Sequence, residues 1–197
     1  MTFSEYRVTS EYGWRKHPIT GKLKFHAGID LVKGHRSPIY AFASGTVMYA
    51  GEGKKGTGLG GYGNVVFIRD SDGRGHLYAH LDSVEVKKGQ TVTKGDRIGT
   101  QGATGNVTGS HLHYEIRKKT TPSYGWTSNP EKSTLSPTKY LEGLNMPKKA
   151  NLKVDGILGP KTIKALQEYL GTPADGKISK PSTMVKELQR RLNQGYL

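Results

Sequence analysis

The sequence predicts a multidomain chain in which an all-β antiparallel domain is followed by a small all-α module. Three observations lead there. All seven histidines and 22 of the 27 glycines precede residue 144, so the composition changes at that point. Short runs rich in Val, Ile, Leu and Tyr, each bounded by Gly, Asp or Ser, recur through the front part as half-buried strands do. Behind it, Ile163, Leu166 and Leu170, then Val185, Leu188 and Leu192, are spaced by three and four, the period of a helix face.

In order along the chain, strands are predicted at Val65–Ile68, His76–Leu81, Val84–Val86, Arg97–Thr100 and Leu112–Arg117, with no helix longer than a turn or two among them. Val86-Lys-Lys-Gly89 is echoed by Val92-Thr-Lys-Gly95, which suits a chain changing direction twice through glycine. Residues 131–150 (EKSTLSPTKYLEGLNMPKKA) carry Pro137 and Pro147 and read as a connection. The boundary falls near residue 145, giving parts 1–144 and 145–197. In the second part Asp155-Gly156 and Gly159-Pro160 precede one helix, and Asp175-Gly176 and Lys180-Pro181 precede another. Leu166-Gln167 recurs as Leu188-Gln189, so the module is an internal repeat with the two pairs on equivalent faces. Its core of about six aliphatic side chains makes it marginally stable by itself.

Composition narrows the classes further. The chain has 197 residues, a net charge of +14 and no cysteine. Only 34% of residues are hydrophobic, but 17 are aromatic and 23% charged, which excludes the charge-dominated disordered class. The longest near-apolar stretch, Pro38–Gly51, is too short for a membrane-spanning helix, and the first residues lack the basic start and apolar core of a secretory signal. Without cysteine, any metal must be held by His, Asp or Glu. The positive surplus favours a polyanionic partner: nucleic acid, anionic lipid or the anionic polymers of a bacterial wall. Both parts share it, with 20 basic against 12 acidic residues over 1–143 and 10 against 4 over 144–197.

The residues that carry chemistry are histidines. His26 and Asp30 are four apart in HAGID, and His111 and His113 two apart in HLHYEI. On a strand, residues two apart share a face, so His111, His113 and Glu115 face one way while Leu112, Tyr114 and Ile116 pack the other. His76, Tyr78 and His80 line one side of their strand by the same rule. Two nitrogens and one carboxylate oxygen with a position left open is the donor set of a catalytic zinc site, suited to amide hydrolysis.

Residues 9–117 resemble the lysostaphin-type zinc metallopeptidases that cut peptidoglycan. The resemblance rests on TSEYGWRKHPITGK, HAGID, SPIYAFASGTV, GYGNVVFI, LYAHL, VKKGQTVTKGDRIGTQGATGN and TGSHLHYEI in the family's order. It implies Zn2+ as cofactor, His26, Asp30 and His113 as its ligands, and His80 and His111 as the catalytic pair that orients water, shuttles a proton or steadies the oxyanion. Every essential position is filled, unlike the metal-free activators related to these enzymes. The family often has Pro at the position of Ser110.

Other residues divide between roles. The glycine-rich loop 51–64 either walls the substrate groove, with Lys54 and Lys55 meeting acidic groups, or is a mobile surface loop. Asn64 either contacts substrate or closes a turn. His17 and His35 are expected at the surface, and His76 partly exposed at a strand start. Glu115 either accepts a bond from His113 or forms a surface salt bridge. Trp14 and Trp126 are expected to pack, with stacking on sugar or peptide as the alternative.

The second part resembles the peptidoglycan-binding domains of wall hydrolases through VDGILGPKTIKALQEYLG and ADGKISKPSTMVKELQRRLN, although no clear LQ-bearing helix precedes the first Asp-Gly unless 137–145 serves. Together the parts look like a bacteriophage endolysin: monomeric, made in the host cytoplasm, released without its own signal and acting at the cell wall on peptidoglycan and its anionic polymers. A secreted autolysin and a non-hydrolytic wall-binding or hydrolase-activating protein are the alternatives. Nucleic acid is not expected as a partner, since no stacking pattern or groove-reading helix accompanies the charge.

Overall fold

The computed structural model describes residues 3–16, 21–145, 152, 156–170 and 172–194. The chain divides into two compact units, Met1–Glu142 and Gly143–Leu197. Among the described residues no helix is long and apolar enough to cross a membrane.

The main sheet of the first unit runs, in spatial order, β1 (Arg7–Ser10), β4 (Gly28–Val32), β11 (Leu112–Arg117), β8 (Gly75–Val84), β7 (Asn64–Arg69), β6 (Gly45–Glu52) and β9 (Thr91–Val92). All these pairings are antiparallel. β10 (Arg97–Gln101) pairs with β8 and with β5 (Pro38–Tyr40), and β12 (Thr134–Leu135) pairs with β11. β2 (Gly13–Lys16) and β3 (Leu23–His26) form a separate hairpin. The echoed glycines do turn the chain on either side of β9: Gly89 and Gly95 have φ of 88° and 95° and donate to the carbonyls of Val47 and Ala41.

Both faces of the central strands are covered, which explains why VVFI reads as an unbroken apolar run. Val66, Ile68, Tyr78, Tyr114 and Ile116 pack one face with Ile29 and Leu31. Val65, Phe67, Leu77 and Ala79 pack the other with Leu59. Each fully buried side chain of this size contributes about 1.5–3 kcal/mol, so β7 and β8 are anchored from both sides.

The connection expected at 131–150 is instead partly ordered into α1 (Pro130–Ser133), β12 and α2 (Pro137–Asn145), a helix of nine residues. Its apolar side belongs to the first unit. Leu141 is buried in the main core, and Tyr140 donates a 2.5 Å hydrogen bond to Asp70. Pro137 opens this helix rather than breaking one, because the first helical position has no intrahelical use for an N–H. The strand expected at Val84–Val86 also differs: Val84 ends β8, and Glu85 and Val86 lie outside the strands.

The second unit contains α3 (Pro160–Leu170) and α4 (Thr183–Gln194). Ile163, Leu170 and Met184 are buried, with Leu166, Tyr169, Val185 and Leu188 packed against them. The two glutamines are not equivalent. Gln167 is buried and latches the following loop, donating to Asp175 and the Lys177 carbonyl and accepting from Gly176, whereas Gln189 is exposed. Leu192, expected in the apolar stripe, is also exposed, since the buried stripe ends at Leu188. Asp155 and His17 lie outside the described residues.

Candidate metal centre

Three strands deliver three donor atoms to one point. His26 ends β3, Asp30 lies in β4, and His113 lies in β11 directly opposite Asp30 in the register. Asp30 Oδ1 is 2.8 Å from His113 Nδ1 and 3.2 Å from His26 Nε2, and the two nitrogens are 3.1 Å apart. Gly28 makes this approach possible, since a Cβ there would fall 2.4 Å from the Tyr114 carbonyl and 2.9 Å from the His113 ring.

The far nitrogen of each ring decides what the near one offers. His26 Nδ1 lies 2.8 Å from the Glu11 carbonyl, an acceptor, so that nitrogen carries the proton and Nε2 presents its lone pair. His113 Nε2 likewise donates to Glu115 Oε1 at 3.0 Å, leaving Nδ1 as the acceptor. Two lone pairs and a carboxylate therefore converge within 3.2 Å, an arrangement that needs a cation between them. Tetrahedral zinc bonds of about 2.0–2.1 Å separate their donors by roughly 3.3 Å, within a few tenths of these distances. The residues present fit zinc.

In the protein alone, a proton does part of the same work. Burial pushes the His113 imidazole down, but its bonds to Asp30 and Glu115 outweigh this and lift it to about 9. Burial raises Asp30, yet the neighbouring His113 and His26 hold it well below the ordinary carboxylate range.

Beneath His113 lies a buried charge relay that sequence reasoning found only in part. Glu115 is 1% exposed and accepts from Tyr62 at 2.6 Å, Arg117 at 2.8 Å and His113. Glu115 is therefore not in a surface salt bridge, because its partner Arg117 is equally buried. Burial would raise Glu115, but the Arg117 charge and the bonds from His113 and Tyr62 hold it far below its ordinary value. Arg117 and Tyr62 were not singled out from the sequence. The signal for Arg117 was its place two residues after Glu115 on one strand face.

His80 reaches the site against strict alternation. Tyr78 faces Val66 while Leu81 faces Asn64, so β8 spends three steps where β7 spends two. The extra residue is a bulge with His80 at φ 63°, a left-handed conformation costing a non-glycine residue on the order of 1 kcal/mol. The bulge turns His80 away from the face of His76 and Tyr78 and onto that of His113, with ring centroids 5.8 Å apart. His80 Nδ1 donates to the Thr104 carbonyl at 2.9 Å. Burial and the adjacent His113 hold its pKa at about 4, so the ring is neutral at neutral pH. His111 Nδ1 donates to the Gly109 carbonyl at 2.9 Å, and its Nε2 lies 3.6 Å from Asp30.

The other expectations resolve as follows. His76 is fully buried on the opposite face, bonded to Tyr114 at 2.7 Å and Asp70 at 2.9 Å, not partly exposed; the neighbouring α2 helix, through Tyr140, closes over it. His35 is exposed and pairs with Ser110. Trp14 and Trp126 are 58% and 51% exposed rather than packed, and Trp126 lines the cleft. The glycine loop is anchored by the buried Leu59, and its Gly60, Gly61 and Tyr62 line one wall of the cleft, whereas Lys54 and Lys55 do not. Asn64 lies outside the lining residues; its N–H donates to Thr104 Oγ1 at 2.9 Å. The cleft, about 990 Å3, opens over His26, Asp30, His80, His111 and His113.

Comparison with known proteins defines the class. Residues 24–124 match the model of Peptidase family M23, and the chain belongs to this metallopeptidase family. It is 41% identical over 111 residues to the DD-carboxypeptidase/endopeptidase Mpg of Neisseria meningitidis, covering 56% of this chain and 24% of that one. It is 43% identical over 111 residues to the peptidoglycan DD-endopeptidase ShyC of Vibrio cholerae, covering 56% and 24%. The chain thus spans about a quarter of these relatives' length. The catalytic domain of lysostaphin from Staphylococcus simulans is similar in structure, with 28% identity, a TM-score of 0.58, and coverage of 71% of this chain and 95% of that one.

Proposed function

We propose that this chain is a zinc endopeptidase that hydrolyses peptide bonds in peptidoglycan stem peptides or cross-bridges. The observation that supports it most is the convergence of His26 Nε2, Asp30 Oδ1 and His113 Nδ1 in an open cleft, with His80 and His111 beside them. The names of the similar Neisseria and Vibrio proteins supply the substrate class. His26, Asp30 and His113 would hold the zinc, which would supply Lewis acidity toward a carbonyl and water.

The chain's own residues carry the proton work. His80, neutral and oriented by Thr104, takes a proton from the attacking water on its Nε2 and returns it to the leaving amine. His111, partly open to solvent and oriented by its Nδ1–H bond to the Gly109 carbonyl, presents Nε2 to the cleft and, once that nitrogen has also taken a proton, donates from it to the oxygen that gains charge at the scissile carbonyl. Glu115 keeps His113 in the tautomer that leaves Nδ1 free, and Arg117 keeps Glu115 ionised. Tyr62 walls the cleft and donates to the same carboxylate.

The basic helical unit holds the enzyme to the wall and its anionic polymers, and the pairing is of the endolysin type. The test is zinc-loaded protein on purified walls, following new amino groups and turbidity. Hydrolysis is expected for the parent chain and loss of it in His113→Ala and His80→Ala. Retention on walls without released amino groups would make this a non-hydrolytic binding protein, and full lysis by both variants would refute the assignment.

A further inference from the structure

The charges lining the cleft are unevenly used. Five charged residues line it: Asp30, Glu115, Arg117, Arg15 and Lys24. Both acids are engaged, Asp30 by His26 and His113, and Glu115 by Tyr62, His113 and Arg117. Of the cations, only Arg117 is paired, with Glu115. Arg15 and Lys24 have no acidic partner among the described residues, and Arg15 Nε and Arg117 Nη2 are buried nitrogens without an acceptor.

Arg15 and Lys24 also sit directly opposite each other in the β2–β3 register. Directly opposed residues share a face and have Cβ atoms about 5 Å apart, so two like charges there repel and destabilise the hairpin. That face is the metal side: Lys24 is two residues before the ligand His26 on β3, and alternation points both the same way. At about 3.3 Å per residue, the cationic pair lies roughly 7 Å along the cleft from His26, the reach of two residues of an extended peptide.

We propose that Arg15 and Lys24 form a carboxylate-binding subsite that selects an acidic peptide, one with a free carboxylate within two residues of the scissile bond, over a neutral one such as a glycine bridge. This rests on the endopeptidase reading and adds substrate selection to it. The bound carboxylate relieves the repulsion across the hairpin and gives the buried Arg15 N–H an acceptor. An Arg at this position can hold a carboxylate through two parallel N–H bonds, and Lys24 adds a point charge.

The probes are two cross-linked stem-peptide dimers, one with free carboxylates beside the cross-link and one with the same positions amidated. Calorimetric titration of the zinc-loaded His80→Gln chain reads the preference without turnover. The carboxylate dimer is expected to bind about fivefold tighter or more, a gap that shrinks at high salt. The gap should collapse in Arg15→Gln/Lys24→Gln and survive in the charge-keeping exchange Arg15→Lys/Lys24→Arg. Equal affinities, no binding of the carboxylate dimer, or a gap that persists in the double glutamine variant would overturn the proposal. Intact preference without hydrolysis by the zinc-loaded parent chain would instead sink the endopeptidase reading alone, and hydrolysis of both dimers by the parent without preference would sink only this inference.

Discussion

Replacing Glu115 with Gln isolates what the buried relay contributes to the metal centre. The change keeps the volume but removes the charge that partners Arg117 and one of the acceptors shared by Tyr62, His113 and Arg117. If the amide oxygen turns to Arg117, the NH2 group faces His113 Nε2–H, and relief requires His113 to move its proton to Nδ1, the atom aimed at the metal. If the NH2 group turns to Arg117, two donors face each other in a site 1% exposed. Breaking a buried ion pair by removing one partner's charge costs about 3–5 kcal/mol, and losing the acceptor behind a metal-binding His lowers affinity about 10–100-fold. For a unit of this size, about 3 kcal/mol lowers Tm by roughly 6–12 °C. Chelator competition for zinc and thermal melting of the metal-free protein read the two effects separately. Zinc affinity equal to the parent's, with Tm unchanged, would show that Glu115 does not set the His113 tautomer.

Other outcomes follow from the same structure. His80→Gly should keep or slightly raise Tm, because glycine accepts φ 63° without strain, and should bind zinc while hydrolysis falls about 10²–10⁴-fold; loss of zinc instead would make His80 a ligand. Asp70 titrates at about 2 in the folded chain against 3.8 ordinarily, since bonds from His76 and Tyr140 outweigh the effect of burial. The unfolded state then binds more protons below pH 4, so the contribution of Asp70 is complete above that pH and is lost as pH falls toward 2. Urea melts of Asp70→Asn should show a shallower loss over that window than the parent. Leu141→Ala should cost about 2–5 kcal/mol of first-unit stability in urea unfolding, because α2 closes the core; a cost near zero would make α2 a detached connector.

The strands were legible because they depend on local spacing, whereas the grouping of His26, Asp30 and His113 came from the family resemblance, since it depends on β4 pairing with β11. HLH on a strand places two rings on one face, and VVFI and HLHYEI have the composition of buried strands. The position of His80 was not legible from alternation, because the bulge that turns it arises from pairing with β7, and nothing in LYAHL records that an extra residue is absorbed there. His76 was misplaced for a related reason: its burial depends on Asp70 and Tyr140, which join it only after α2 folds back on the sheet. Trp126 reversed expectation because it lines the cleft, and Trp14 because it lies on the separate β2–β3 hairpin, where the Phe25 ring meets it edge-on and leaves most of the indole open. Gln167 and Gln189 are alike in sequence but differ in use, since the first has the turn 175–177 within reach of its amide.

X-ray absorption at the zinc edge of the loaded protein tests the central claim most directly. The account predicts one zinc per chain, held by two imidazoles with a shell of oxygen donors at about 2.0–2.2 Å and no further ring. A shell of three or four imidazoles, recruiting His80 or His111 as ligands and removing them from proton transfer, would contradict it.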